Sequence, residues 1–154
     1  MATVNPVPNG LHTLTPQLNV DGAAEAIALY QKAFGAEERT RALDPSGKKI
    51  WHAELRIGDS TFFINDTFPE MGAAAHPTEL WLYTEKAEEL FKRAAAAGMT
   101  TVMPMTDMFW GDRTGTLSDR WGNRWTIGKR VKEMTEAQMK KAGEEFAQAQ
   151  QRKR

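Results

Sequence analysis

A histidine and a glutamate two positions apart on an extended segment form a minimal acid–base unit. His52 and Glu54 stand in that relation within Trp51-His52-Ala53-Glu54-Leu55-Arg56-Ile57. If residues 50–57 form a strand, Trp51, Ala53, Leu55 and Ile57 make one apolar face suited to packing under a helix. His52, Glu54 and Arg56 then make the other. Side chains at i and i+2 rise from Cα atoms about 7 Å apart, close enough to share a ligand or a proton. Glu54 is a candidate general base, with His52 as acid or orienter. The competing reading is a buried polar contact across the sheet.

A second concentration of chemistry lies in residues 105–113, with Phe109, Trp110 and Arg113. The two aromatics could stack on a planar ligand, and the guanidinium could hold a carboxylate or phosphate through two bonds. Alternatively the aromatics are core and Arg113 pairs with Asp107 or Asp112. Met99, Met103, Met105 and Met108 surround this stretch and suit either a core or an adaptable pocket wall. His12 and His76 fall in polar, proline-flanked segments and read as solvated, and Trp121 and Trp125 read as packing residues. No Gly-rich phosphate loop or nucleophile elbow is present.

These residues need elements to carry them. Residues 1–10 hold two prolines, two asparagines and a glycine and read as a loose arm. Residues 11–20 alternate, with Leu14, Pro16, Leu18 and Val20 on one face and Thr13, Thr15 and Gln17 on the other, as in a strand. Pro16 lacks an N–H and marks an edge or an irregularity. Asp21 is the expected N-cap of a helix ending at Gly35. Strands follow at 36–43, 50–57 and 60–65. After a linker at 66–77 the order begins again. A strand spans 79–84, an alanine-rich helix 86–97 stops at Gly98, and a strand spans 100–105. An aromatic loop at 107–113 leads to strands at 114–118 and 124–128. Gly98 repeats Gly35, and Gly122-Asn123 repeats Gly58-Asp59, so the chain reads as a duplicated βαβββ unit. Thr135 and Gln138 predict a capping box opening a polar helix over 135–150.

The 154 residues carry 20 basic and 20 acidic side chains, which removes the electrostatic footprint of a nucleic-acid binder. The absence of cysteine excludes disulfides, thiolate metal sites and a cysteine nucleophile. No secretory signal or run of membrane-spanning length is visible, so a cytoplasmic protein with no membrane partner is expected.

The repeated order, Phe34-Gly35-Ala36-Glu37 and the turn Ser118-Asp119-Arg120-Trp121-Gly122-Asn123 resemble the vicinal-oxygen-chelate superfamily. That superfamily includes glyoxalase I, extradiol dioxygenases, fosfomycin-resistance enzymes and bleomycin-binding proteins. The stretches 51–60, 65–66, 107–113 and 122–127 are similar to its PhnB-like branch. The resemblance covers roughly residues 12–130. It implies an α+β fold of two tandem βαβββ modules, 11–66 and 78–130, forming curved half-sheets around a cavity. Residues 131–154 then form a C-terminal helical tail. A homodimer is also implied. On the concave side, strand parity would place His52 and Glu54, and also Gln17, Glu79, Trp81, Tyr83 and Thr126, with Trp110 and Arg113 at the rim. Metal-dependent members carry ligands at positions that fall here on Thr15, Phe62 or Phe63, Thr78 or Glu79, and Thr126. About three protein ligands are needed, and only Glu79 is a plausible one. No tight metal and no cofactor are therefore expected.

Three functions compete. One is a metal-independent binder of a small, largely apolar molecule. The second is a lyase, isomerase or dioxygenase using His52 and Glu54. The third is an interaction module built on the C-terminal helix.

Overall fold

The computed structural model describes residues 3–154; Met1 and Ala2 of the expected arm lie outside the described residues. The chain divides into two compact units, one ending at Thr78 and the other beginning at Glu79. Each holds a four-stranded mixed sheet.

In the first unit the elements are β1 (Gln17–Val20), α1 (Ala23–Phe34), β2 (Glu37–Leu43), β3 (Ile50–Ile57) and β4 (Ser60–Asp66). The sheet order is β1-β4-β3-β2, with β1 parallel to β4 and the other pairs antiparallel. Alternation buries Leu18 and Val20 on β1, Ala53 and Leu55 on β3, and Phe62 and Ile64 on β4. These face Ala23, Ala26, Ile27, Tyr30, Ala33 and Phe34, the buried side of α1. Gly35 ends α1 at a positive φ. A single 3-10 turn, Pro69–Met71, follows β4.

Three expectations need correction here. The first strand does not begin near residue 11. Its hydrogen-bonded part starts at Gln17, and Leu14 is 86% exposed. The alternation of 11–16 therefore had no neighbouring strand to pair with, beyond the Pro16 carbonyl accepting from the Phe63 N–H. Trp51 does not join the apolar face. Ala42 stands opposite His52 and Leu43 opposite Ile50, so Trp51 is the extra residue of a bulge and is 48% exposed, while Ile50 is buried.

Third, Asp21 does not cap α1. The N-cap is Gly22, in the left-handed region at φ 109°, with no side-chain cap of its own. The acceptor comes instead from Asp66 at the end of β4. Its Oδ1 accepts from the N–H groups of Gly22 and Ala23, both at 2.9 Å, and its Oδ2 from Ile50 N–H at 2.7 Å. One buried carboxylate thus ties together the start of the helix, the start of β3 and the end of β4.

In the second unit the elements are β5 (Glu79–Tyr83), α2 (Ala87–Ala96), β6 (Thr100–Asp107), β7 (Asp112–Ser118), β8 (Arg124–Arg130) and α3 (Glu136–Arg152). The order β5-β8-β7-β6, with β5 parallel to β8, repeats the first unit strand for strand. Leu117, Trp125 and Ile127 are buried on the side of the sheet that meets α2. Gly115 is required there. A Cβ would lie 2.6 Å from the Phe91 ring and 2.8 Å from the Met105 sulfur. The Ser118–Asn123 turn is held by buried Asp119, whose carboxylate accepts from the N–H groups of Trp121 and Asn123 and from the Trp125 indole. The expected capping box is present: Thr135 Oγ1 accepts from Gln138 N–H, and Gln138 Oε1 from Thr135 N–H. The expected aromatic loop over 107–113 is shorter, because β6 runs through Asp107 and β7 opens at Asp112.

Candidate functional site

In the first unit, the sheet face turned away from α1 carries the polar set. Register aligns Gln17 with Phe63, Phe63 with Glu54, and Glu54 with Thr40. One step along, Asn19 pairs with Asn65, and His52 stands opposite Ala42. Because Ala53 and Leu55 are fully buried, β3 directs His52 and Glu54 to the opposite face. Gln17 Nε2 donates to Asn65 Oδ1 at 2.8 Å and to Asn19 Oδ1 at 3.1 Å. The His52 ring meets Phe63 edge to face, with centroids 4.6 Å apart. Glu54 is half-buried and makes no hydrogen bond or ion pair among the described residues. It keeps its full accepting capacity for something outside the fold.

In the second unit, the face away from α2 is aromatic. Trp81 and Tyr83 alternate with the half-buried Leu80 and Leu82 on β5 and are 50% and 56% exposed. Trp110 comes to the same face from the loop between β6 and β7. The Trp81 centroid lies 6.1 Å from Tyr83 and 6.3 Å from Trp110. Gly111 turns that loop at φ 96°, and its carbonyl accepts from the N–H groups of Val131 and Lys132. A Cβ at Gly111 would sit 2.3 Å from the Lys132 carbonyl, so only glycine fits. Phe109 meets Trp110 edge to face at 5.0 Å and also packs on α3, against Phe146 at 5.2 Å and over Gly143.

Beneath the rings lies Asp112, 1% exposed. Its Oδ2 accepts from Tyr83 Oη at 2.7 Å and Trp110 Nε1 at 2.9 Å, and its Oδ1 from Arg130 Nε at 2.5 Å. Burial pushes the Asp112 carboxyl up, but the bonds from Tyr83, Arg130 and Trp110 outweigh it and hold the group below its ordinary value. Burial, with the adjacent Asp112 carboxylate, raises Tyr83 and keeps its hydroxyl a donor. An open hollow of about 580 Å³ adjoins Tyr83 and Arg130, with Thr84, Glu85, Lys129 and Val131 completing its walls.

Arg113 is not brought together with Trp110. Adjacent residues on a strand face opposite ways, so Asp112 on the aromatic face sends Arg113 toward α2. There it donates to Asp107 at 2.6 Å and to Glu88 of α2 at 3.0 Å. Lys129 reaches the same Glu88 at 2.9 Å. Glu79 pairs with Arg124 at 3.2 Å.

Lys129 and Arg113 together hold the Glu88 carboxyl down at about 2, from an ordinary 4.5. A carboxyl depressed in the folded state stabilises it fully above the unfolded value, and that contribution is lost as pH falls from about 4.5 through about 2. Urea midpoints of the wild type should therefore fall between pH 5 and pH 3 more steeply than those of Glu88→Gln. Equal slopes would show that this exposed cluster contributes nothing, and molar salt should shrink the difference.

Asp112 was not anticipated from the sequence. The available signal was its parity: it shares a face with Thr114 and Thr116 and lies opposite Arg113. The positions that carry metal ligands in metal-dependent relatives offer a poor donor set. Thr126 Oγ1 shares a hydrogen bond with Thr116 Oγ1 at 2.8 Å, Phe62 is buried, and Glu79 is paired. Among the described residues no three His, Asp or Glu side chains gather where they could hold a metal ion. The residues present do not fit a divalent ion at that position.

Residues 10–127 match the Glyoxalase/Bleomycin resistance protein/Dioxygenase superfamily. An uncharacterised protein of Mycobacterium bovis is 42% identical over 130 residues, covering 79% of this chain and 85% of its own. Among solved structures, TioX from Micromonospora sp. ML1 superposes with a TM-score of 0.65 at 23% identity, covering 78% of this chain and 99% of TioX. A PhnB protein from Bacillus cereus gives 0.57 at 18% identity, covering 77% of this chain and 99% of its own. Both structural likenesses extend to the fold alone.

Proposed function

We propose a function from the premise that this chain belongs to the Glyoxalase/Bleomycin resistance protein/Dioxygenase superfamily: it binds a small, largely apolar molecule and holds no tightly bound metal or organic cofactor. The observation that carries this reading is the aromatic trio of the second unit, in which Tyr83 and Trp110 are tied to Asp112 and Trp81 packs against both. Trp81 and Tyr83 leave about half their surface to solvent although both have apolar neighbours to pack against. Rings held rigidly and left open lose little entropy when a ligand covers them. PhnB-like character, a homodimeric state and residence in the cytoplasm belong to the same proposal. So does the absence of a nucleic-acid partner, in keeping with the balanced charge.

The second reading is an enzyme of the same superfamily, a lyase, isomerase or dioxygenase. It is favoured by half-buried Glu54 with its unused acceptor oxygens and by His52 beside it on β3. Glu54 would take a proton from the substrate and His52 would orient or return it.

One preparation tests both readings. After dialysis, elemental analysis should find far less than one divalent ion per chain. Solvent extraction should release a small apolar compound, and light scattering should give the mass of two chains. About one retained metal per chain would overturn the metal-free reading and favour the enzyme. A monomer at micromolar concentration would remove the dimer from the proposal.

A further inference from the structure

Building on the binding reading of the second unit, we propose that Asp112 is a positioning residue that makes the aromatic face selective for cationic or electron-poor planar rings and against anionic ones. The argument begins with where the polar edges point. The Tyr83 hydroxyl and the Trp110 indole N–H both donate to the same Asp112 oxygen, at 2.7 and 2.9 Å. Both rings are thereby turned edge-inward, and neither retains a donor for a carboxylate or phosphate. What remains outward is ring face, and the face of an indole or phenol is its negative pole.

The two arginines of this face are also paired. Arg130 is bound through Nε to Asp112 and lies 3.6 Å from Glu133, and Arg124 is bound to Glu79. An anionic ring would meet three π faces, with no donor left on Tyr83 or Trp110 and both arginines already paired. A cationic ring would meet the same faces, which Asp112, itself paired with Arg130, serves to turn outward. Asp112 itself touches no ligand, because it is 1% exposed beneath the rings; it acts through Tyr83 and Trp110.

Three probes of similar size separate the possibilities: N-methylquinolinium, neutral quinoline at pH 8 and naphthoate. Each is titrated into the full chain and followed by quenching of tryptophan fluorescence. The cation should bind about 10-fold more tightly than naphthoate. Asp112→Asn should lower cation affinity about 10-fold and diminish the near-ultraviolet dichroism of the ordered indoles, since a single amide oxygen cannot accept from both rings and from Arg130 as the carboxylate does. If that variant does not fold, Tyr83→Phe carries the test. It keeps the ring, deletes one bond to Asp112, and should lower cation affinity about 3-fold. Equal affinity for all three probes, or unchanged cation binding in a folded Asp112→Asn or in Tyr83→Phe, overturns the role of Asp112 while leaving the binding reading intact. No saturable binding of any probe overturns both.

Discussion

Replacing Asp66 with alanine should lower the stability of the first unit by about 3 kcal/mol, because three backbone N–H groups lose a charged acceptor at once. Gly22, Ala23 and Ile50 all donate to this one side chain. The N-cap residue Gly22 supplies no side-chain cap, so the loss combines uncapping with removal of a negative charge from the positive end of a helix. Asp66→Asn should cost less, about 1–2 kcal/mol, since one oxygen can still accept from the helix while the amide donor opposes the Ile50 N–H. Urea unfolding measures the total. Hydrogen exchange locates it, with faster exchange expected first at Ala23 and Ile50. A change below about 0.5 kcal/mol for the alanine variant would mean that water replaces the carboxylate at no cost, which the burial of Asp66 argues against.

Asp66 also marks where sequence reasoning stops. The expected cap was Asp21, the nearest residue of the right type; the acceptor used lies more than forty positions away and reaches the helix only because β4 pairs in parallel with β1. Local chemistry was legible wherever both partners were local. β3 was delimited at Ile50 and Ile57 by its alternation and flanking turns, and the Thr135–Gln138 box was read from a three-residue spacing. The duplicated order was legible from its glycines, because turns need them at matching places. Properties of the ladder were not legible. The bulge that expels Trp51 depends on how β2 pairs with β3, and the late start of β1 depends on how far β4 extends. The site shows the same division. Parity placed Trp81, Tyr83, His52 and Glu54 on the faces away from the helices, where the structure has them. Arg113 lies at the boundary where the loop composition of 107–113 hides the strand, which opens at Asp112 and sends Arg113 toward α2. Asp112 is hidden in the sequence because an acidic residue beside an arginine reads as its ion-pair partner, whereas Arg113 pairs with Asp107 and Glu88 instead.

Trp81→Ala should lower affinity for N-methylquinolinium about 30-fold while leaving the fold intact, as expected for truncating a central aromatic anchor. Trp81 stands between the other two rings, in contact with Tyr83 on one side and Trp110 on the other. Removing it takes away the ring that touches both of the others. Stability should change little, because half of the side chain already faces solvent and no hydrogen bond to its indole holds the sheet. Glu54→Gln is the matching change in the first unit. It preserves shape and removes only the proton acceptor, so in a binder it should alter affinity for this probe by less than about 3-fold. The two variants together decide which sheet face is at work. A large loss with Trp81→Ala and almost none with Glu54→Gln assigns the ligand to the aromatic face. The reverse pattern, with Trp81→Ala silent and a turnover abolished by Glu54→Gln, would transfer the function to His52 and Glu54 and make the protein an enzyme. The aromatic face is the expected winner on physical grounds. Two of its three rings are tied to a buried carboxylate and the third packs against both, whereas Glu54 has no hydrogen bond or ion pair among the described residues to orient it.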